Sequence, residues 1–199
     1  MKLYFSLPLI LVTSLTLAQE TMNETLPYYK IPEAPASYTP GTVVSRMIDG
    51  LGFRYFWATE GLTDENLAYK PSEEGRTIAE TMDHLYSLSR TILNSAKKQP
   101  TKFTIEKEEL TSKEKRKRTL ENFKTASGLF KVSENLEEHK IVFIRKNGKA
   151  EFPFWNQLNG PIEDAVWHAG QIVMMRRAAG NPFNSKVSVF TGKVRDKDD

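Results

Sequence analysis

The stretch EDAVWHAGQIVMMRR, residues 163–177, decides how the rest of the chain is read. Pro161 stands just before it, Gly180 closes it and Pro182 follows, a frame that predicts a helix from about Pro161 to Ala179. On that helix Asp164 and His168 are four residues apart, so they stack one turn above the other, roughly 6 Å between Cβ atoms. Gln171 and Met175 extend the same face. A helix of this kind needs apolar faces to pack against, and three upstream segments supply them.

In the first, Val44, Met47, Ile48, Leu51 and Tyr55 recur at helical spacing. Thr39 and Pro40 read as its N-cap and first-turn proline, and it ends near Glu60 and Gly61. In the second, Thr77 and Glu80 form a capping box, and Ile78, Met82, Leu85, Leu88 and Ile92 make the buried stripe. The third opens on the box Thr111–Glu114 and buries Leu120, Phe123 and Phe130. Before the last helix, residues 141–145 (IVFIR) are strand-like, Asn147 and Gly148 signal a tight turn, and residues 151–154 can return. Pro153 confines that return to an edge or a short piece. Four helices with one apolar stripe each bury them together. The expected fold is therefore all-α, a four-helix bundle with a small β-hairpin inserted before the last long helix.

The remaining segments are of other kinds. Lys2, the apolar run to Leu17, and Thr16 and Ala18 before Gln19 have the form of a cleaved signal peptide over 1–18. That run is too short to make a stable membrane span the expectation. The protein is expected in the periplasm or secreted. Residues 19–40, with four prolines, read as an extended lead-in along the bundle, 41–190 as the bundle, and 191–199 as a flexible tail. The chain has no cysteine, which excludes thiolate nucleophiles, thiolate metal sites and disulfides. Its 28 basic and 25 acidic side chains give +3, or +2 without Lys2, the one charged residue in 1–18. So mild a balance does not predict a nucleic-acid partner.

Only three histidines are present. His84 flanks the apolar stripe of the second helix, so a facing helix could bring it to Asp164 and His168. Two imidazoles and a carboxylate can hold one side of a metal ion and leave positions for water or substrate. Zn, Ni, Fe and Mn all suit such a set. The plainer alternative is a pair of satisfied histidines, with Asp164 favoured by the helix dipole of its first turn. His139, in the polar stretch SENLEEHK, reads as exposed and unligated, and the basic run 113–118 as a solvated helix start. Gln171, one turn past His168, could position a ligand or simply line the bundle; no catalytic residue is otherwise marked. Trp155 and Trp167 could wall a pocket, with packing the better reading. Phe53, Phe56 and Trp57 could pair two copies as a homodimer or equally belong to the core.

Two blocks carry a resemblance. GLTDENLAYKP (61–71), RTIAE (76–80) and His84-Leu85 form the first; WNQLNGPI (155–162), Asp164, WHAGQI (167–172) and RRAAGNP (176–182) form the second. Together they resemble the DinB/YfiT-like metalloenzyme family over roughly residues 41–190, most closely its exported branch in Bacteroidetes-type bacteria. The resemblance implies a four-helix bundle whose divalent metal is held by His84, Asp164 and His168. Asp164 departs from the family, which usually has histidine there. It also implies a metal-dependent thiol S-transferase or hydrolase acting on a small molecule, such as a thiol. The alternative is a non-catalytic metal- or ligand-binding exported bundle.

Overall fold

The structure, a computed structural model, describes residues 26–103 and 109–196. The leader expected over 1–18, residues 19–25 of the lead-in and the last three residues lie outside them. The fold is mostly helical with a small sheet, and four long helices dominate it: α1 (Pro40–Thr59), α3 (Ile78–Ala96), α4 (Ser112–Lys131) and α6 (Glu163–Ala178). A short α2 (Asp64–Ala68) joins α1 to α3. α1 and α3 each pack against both α4 and α6, so the four helices close a ring around one core.

Local chemistry starts the first three long helices where the sequence places them. Thr39, Thr77 and Thr111 accept from the backbone N–H three residues on, and the residue at that position reaches back, closing three capping boxes. Thr63 and Asn66 make a fourth, which begins the unforeseen α2. Inside, Ile48, Leu51, Tyr55, Ile78, Leu85, Ile92, Leu120, Phe123 and Phe130 are buried. The stripe of α3 matches expectation, except that Leu88 is only partly buried.

Strands β2 (Ile141–Arg145) and β3 (Gly148–Phe152) pair antiparallel across the Asn147–Gly148 turn. Gly148 takes φ +128, a value that favours glycine. The return strand stops at Phe152, before Pro153, and lies at the sheet edge. The other neighbour of β2 is unforeseen: β1 (Thr101–Lys102) joins it in parallel.

The last helix departs from expectation at its start. The chain turns helical at α5 (Trp155–Gln157), passes through a π-helical turn (Leu158–Ile162), and only then enters α6. Gly160, with φ −96 and ψ −108, breaks the path there, and Pro161 has no N–H to offer the ladder. Beyond α6, β4 (Val187–Ser188) and β5 (Lys193–Val194) pair. The expectation of a loose tail from 191 therefore does not extend to Lys193 and Val194.

Residues 26–39 lie along the helices. The Tyr28 ring sits on Gly52, and its hydroxyl donates to Asp49 (3.0 Å). Trp57 Nε1 donates to the Tyr29 carbonyl (3.1 Å), and the Tyr29 ring meets Phe56 edge to face and Trp57 at a tilt. Of the two readings open for Phe53, Phe56 and Trp57, a pairing face or the core, the structure shows the core: all three are buried. No helix among the described residues is long and apolar enough to cross a membrane.

Candidate metal centre

α3 and α6 face each other, and each sends its polar flank to one spot. His84, two turns into α3, approaches Asp164 with Nε2 3.1 Å from Oδ2. His168, one turn along α6 from Asp164, places its Nε2 3.2 Å from Oδ1. The two imidazoles meet edge to face, with ring centres 4.6 Å apart. One donor atom from each residue lies within 4.8 Å of the others, so the group could hold a metal ion. All three side chains are partly buried.

Gln171 fixes how His168 presents itself. The carboxamide Oε1 can only accept, so His168 Nδ1 donates to it across 2.7 Å. Gln171 is thus a hydrogen-bond partner of His168, where the sequence offered a ligand-positioning or a lining role. With Nδ1 as the donor, a neutral His168 keeps a bare lone pair on Nε2, 3.2 Å from a carboxylate oxygen. Two acceptors at 3.2 Å repel unless a cation or a proton stands between them. The donor set therefore fits a divalent ion, with the outer hydrogen bond that ligating histidines typically make.

The cluster opens on a cleft of about 900 Å³. Trp167, Met174 and Pro71 give it apolar walls, and Arg76 brings a cation to its rim. Trp167 is 71% exposed and Trp155 76%, which corrects the reading of both as packing residues. Arg76 and Met174 escaped notice as cleft residues. Arg76 reads locally as the residue before an N-cap, and Met174 as one more apolar residue on a helix.

The other sequence-marked residues fall elsewhere. His139 is not exposed: it is 3% accessible, packed on Phe130, with Nε2 at 2.8 Å from Ser133 Oγ and Nδ1 donating to the Ser95 carbonyl (3.2 Å). It takes no part in the metal cluster. The basic run is not wholly solvated either. Lys115 pairs with Asp83 (2.5 Å), and Arg116 pairs with Glu60 (2.5 Å) over the Phe56 ring.

Arg176 and Arg116 hold the frame. α1 has no basic residue in its last turn, so its terminal carbonyls need outside donors. Arg176, 4% accessible, donates to the carbonyls of Trp57 (3.0 Å) and Ala58 (3.1 Å), and to Asn181 O (2.8 Å) and Oδ1 (2.9 Å). Arg116 donates to the Phe56 carbonyl (3.2 Å) and Thr59 Oγ1 (2.9 Å). Burial pulls both guanidinium groups below their ordinary pKa. These contacts tie the end of α6 and the start of α4 to the end of α1.

A ring of long helices with a His–Asp–His cluster on two facing members defines a helical protein with a candidate metal site. The chain belongs to the DinB family, whose profile matches residues 54–185. No curated protein and no solved structure matches it.

Proposed function

We propose that this chain is a metal-dependent enzyme of the DinB kind: an exported four-helix bundle, with a hairpin before its last helix, that acts on a small molecule as a thiol S-transferase or hydrolase. The carrying observation is the convergence of His84, Asp164 and His168 within 4.8 Å, with both histidines lining an open cleft. A divalent ion bound there would supply Lewis-acid chemistry, lowering the pKa of a thiol or a water.

The residues themselves have separable tasks. His84 Nε2, His168 Nε2 and the Asp164 carboxylate hold the ion, and the carboxylate offsets one of its two charges. Gln171 keeps His168 in the tautomer that leaves Nε2 free. Trp167, Met174 and Pro71 exclude water from one side of the substrate. Arg76 meets an anionic group of the substrate at the rim. The leader-like segment 1–18 supports work outside the cytoplasm, and Zn, Ni, Fe and Mn remain the candidate ions.

The test is titration of the metal-free protein with Co(II), followed by a small thiol. Visible bands that saturate at one ion per chain, then a thiolate charge-transfer band, are expected for the transferase. Saturation without a thiol response leaves the hydrolase, checked by turnover of activated esters and amides. Saturation with neither response would sink the enzymatic reading.

A further inference from the structure

α6 is apolar on both sides. Ala165, Ala169 and Ile172 are buried in the core, whereas Val166, Trp167 and Met174 are exposed around Gly170. A helix that touches its protein on one face alone carries polar residues on the other. A contiguous exposed apolar stripe marks an interaction surface. Gly170 is exposed too, and a Cβ built on it meets nothing within 4 Å, so a second backbone can come close there.

The stripe reads alike in both directions from Gly170. Glu163 and Arg177 lie seven residues before and after it, Val166 and Met174 four, Trp167 and Val173 three. Seven residues span about 10.5 Å of helix. A second α6 crossing antiparallel at Gly170 thus sets Glu163 beside the partner's Arg177 at both ends of the contact. Both side chains are exposed, and no ion pair among the described residues engages either. The parallel arrangement would instead set like charges together. Self-complementarity of this kind points to a second copy as the occupant.

We propose that two copies of this chain pair through α6 in this antiparallel register, and that the partner's Trp167 completes the rim of each cleft. The second part follows from the turn of the helix. At about 100° per residue from Gly170, Trp167, Gln171 and Met174 lie on one flank, and Val166 and Val173 on the other. A two-fold axis perpendicular to both helices keeps like flanks on the same side. The partner's Trp167 then stands against Met174, at the edge of the cleft that holds His84 and His168. Indole against thioether is a favourable contact. On the other flank the valines meet above a groove of about 400 Å³ floored by Phe53 and Trp57. The pairing holds whether or not the cluster binds an ion.

Because the chain has no cysteine, Gly170→Cys carries a single thiol, placed on the axis. Mild oxidation is expected to link two chains about tenfold faster than it links Thr125→Cys, an exposed position on α4. In Trp167→Cys/Met174→Cys, oxidation likewise links two chains; a failure there overturns the placement of the partner's Trp167. Sedimentation is expected to show the wild type as a dimer and Gly170→Arg as a monomer with unchanged helical circular dichroism. Glu163→Arg raises the dimer Kd about tenfold, and adding Arg177→Glu brings it back. A wild type that stays monomeric at about 100 µM overturns the pairing. So does a dimer that survives Gly170→Arg, or a Gly170→Cys that links no faster than the control.

Discussion

Replacing Arg176 by methionine keeps most of the buried aliphatic volume and removes every hydrogen bond of the guanidinium. Four acceptors lose their donor: the carbonyls of Trp57 and Ala58, and the carbonyl and side chain of Asn181. The Trp57 and Ala58 carbonyls sit in the last turn of α1, where no intrahelical N–H reaches them. Each buried acceptor left bare costs about 1–3 kcal/mol. Asn181 retains its side-chain bonds to Gly61 and Asn66, so its share is smaller. The sum is a loss of about 3–5 kcal/mol, a large part of the roughly 5–15 kcal/mol that a domain has. Urea unfolding followed by far-UV circular dichroism measures it as a lowered midpoint at unchanged slope. Arg177→Met, one residue on and exposed, is the control and stays within about 0.5 kcal/mol. A loss below about 1 kcal/mol for Arg176→Met would refute the idea that this side chain caps α1.

Gly52→Ala puts a Cβ within 2.4 Å of the Tyr28 ring and displaces it, breaking its bond to Asp49; a loss of about 1–3 kcal/mol, with faster proteolysis near residue 28, is expected. Glu80 and Glu114 have carboxyls held below the ordinary value of 4.5, chiefly by the hydrogen bonds of their capping boxes. Folded pKa values below the unfolded ones give stability that is present above pH 4.5 and lost as pH falls below it. Glu80→Gln/Glu114→Gln should flatten that acid limb in a pH series of melting temperatures, and an unchanged limb would argue against the boxes. Tyr28 and Tyr55 have phenols pushed up by burial, so stability should fall as pH rises past the ordinary 10.0; an alkaline melting series with no such decline would count against their burial. His139→Phe breaks its contacts to Ser133 and Ser95 and should cost about 1–3 kcal/mol while leaving metal content unchanged; altered metal content would contradict its place outside the cluster.

Helix starts were legible because Thr77–Glu80 and Thr111–Glu114 write their boxes in neighbouring residues. The α2 box uses Asn66 in place of an acidic residue or glutamine, and five residues give no period to read. The cluster was legible in half: Asp164 and His168 are joined by helical spacing, whereas His84 needs tertiary packing to reach them. Burial by distant parts was not legible at all. His139 lies in a charged stretch and is enclosed by Phe130 and the end of α3, and Phe56 and Trp57 are covered by Tyr29 from the lead-in. The π-helical turn stayed hidden because Pro161 reads locally as a helix start, while its actual setting depends on the break at Gly160.

Whether His84, Asp164 and His168 act together is tested most directly by elemental analysis of tag-free protein, wild type beside His84→Ala, Asp164→Ala and His168→Ala. The account predicts close to one divalent ion per chain in the wild type and a tenfold or greater loss of affinity in each variant, of the order seen when a metal site is disturbed. Metal below stoichiometry in the wild type that none of the three substitutions changes would contradict it.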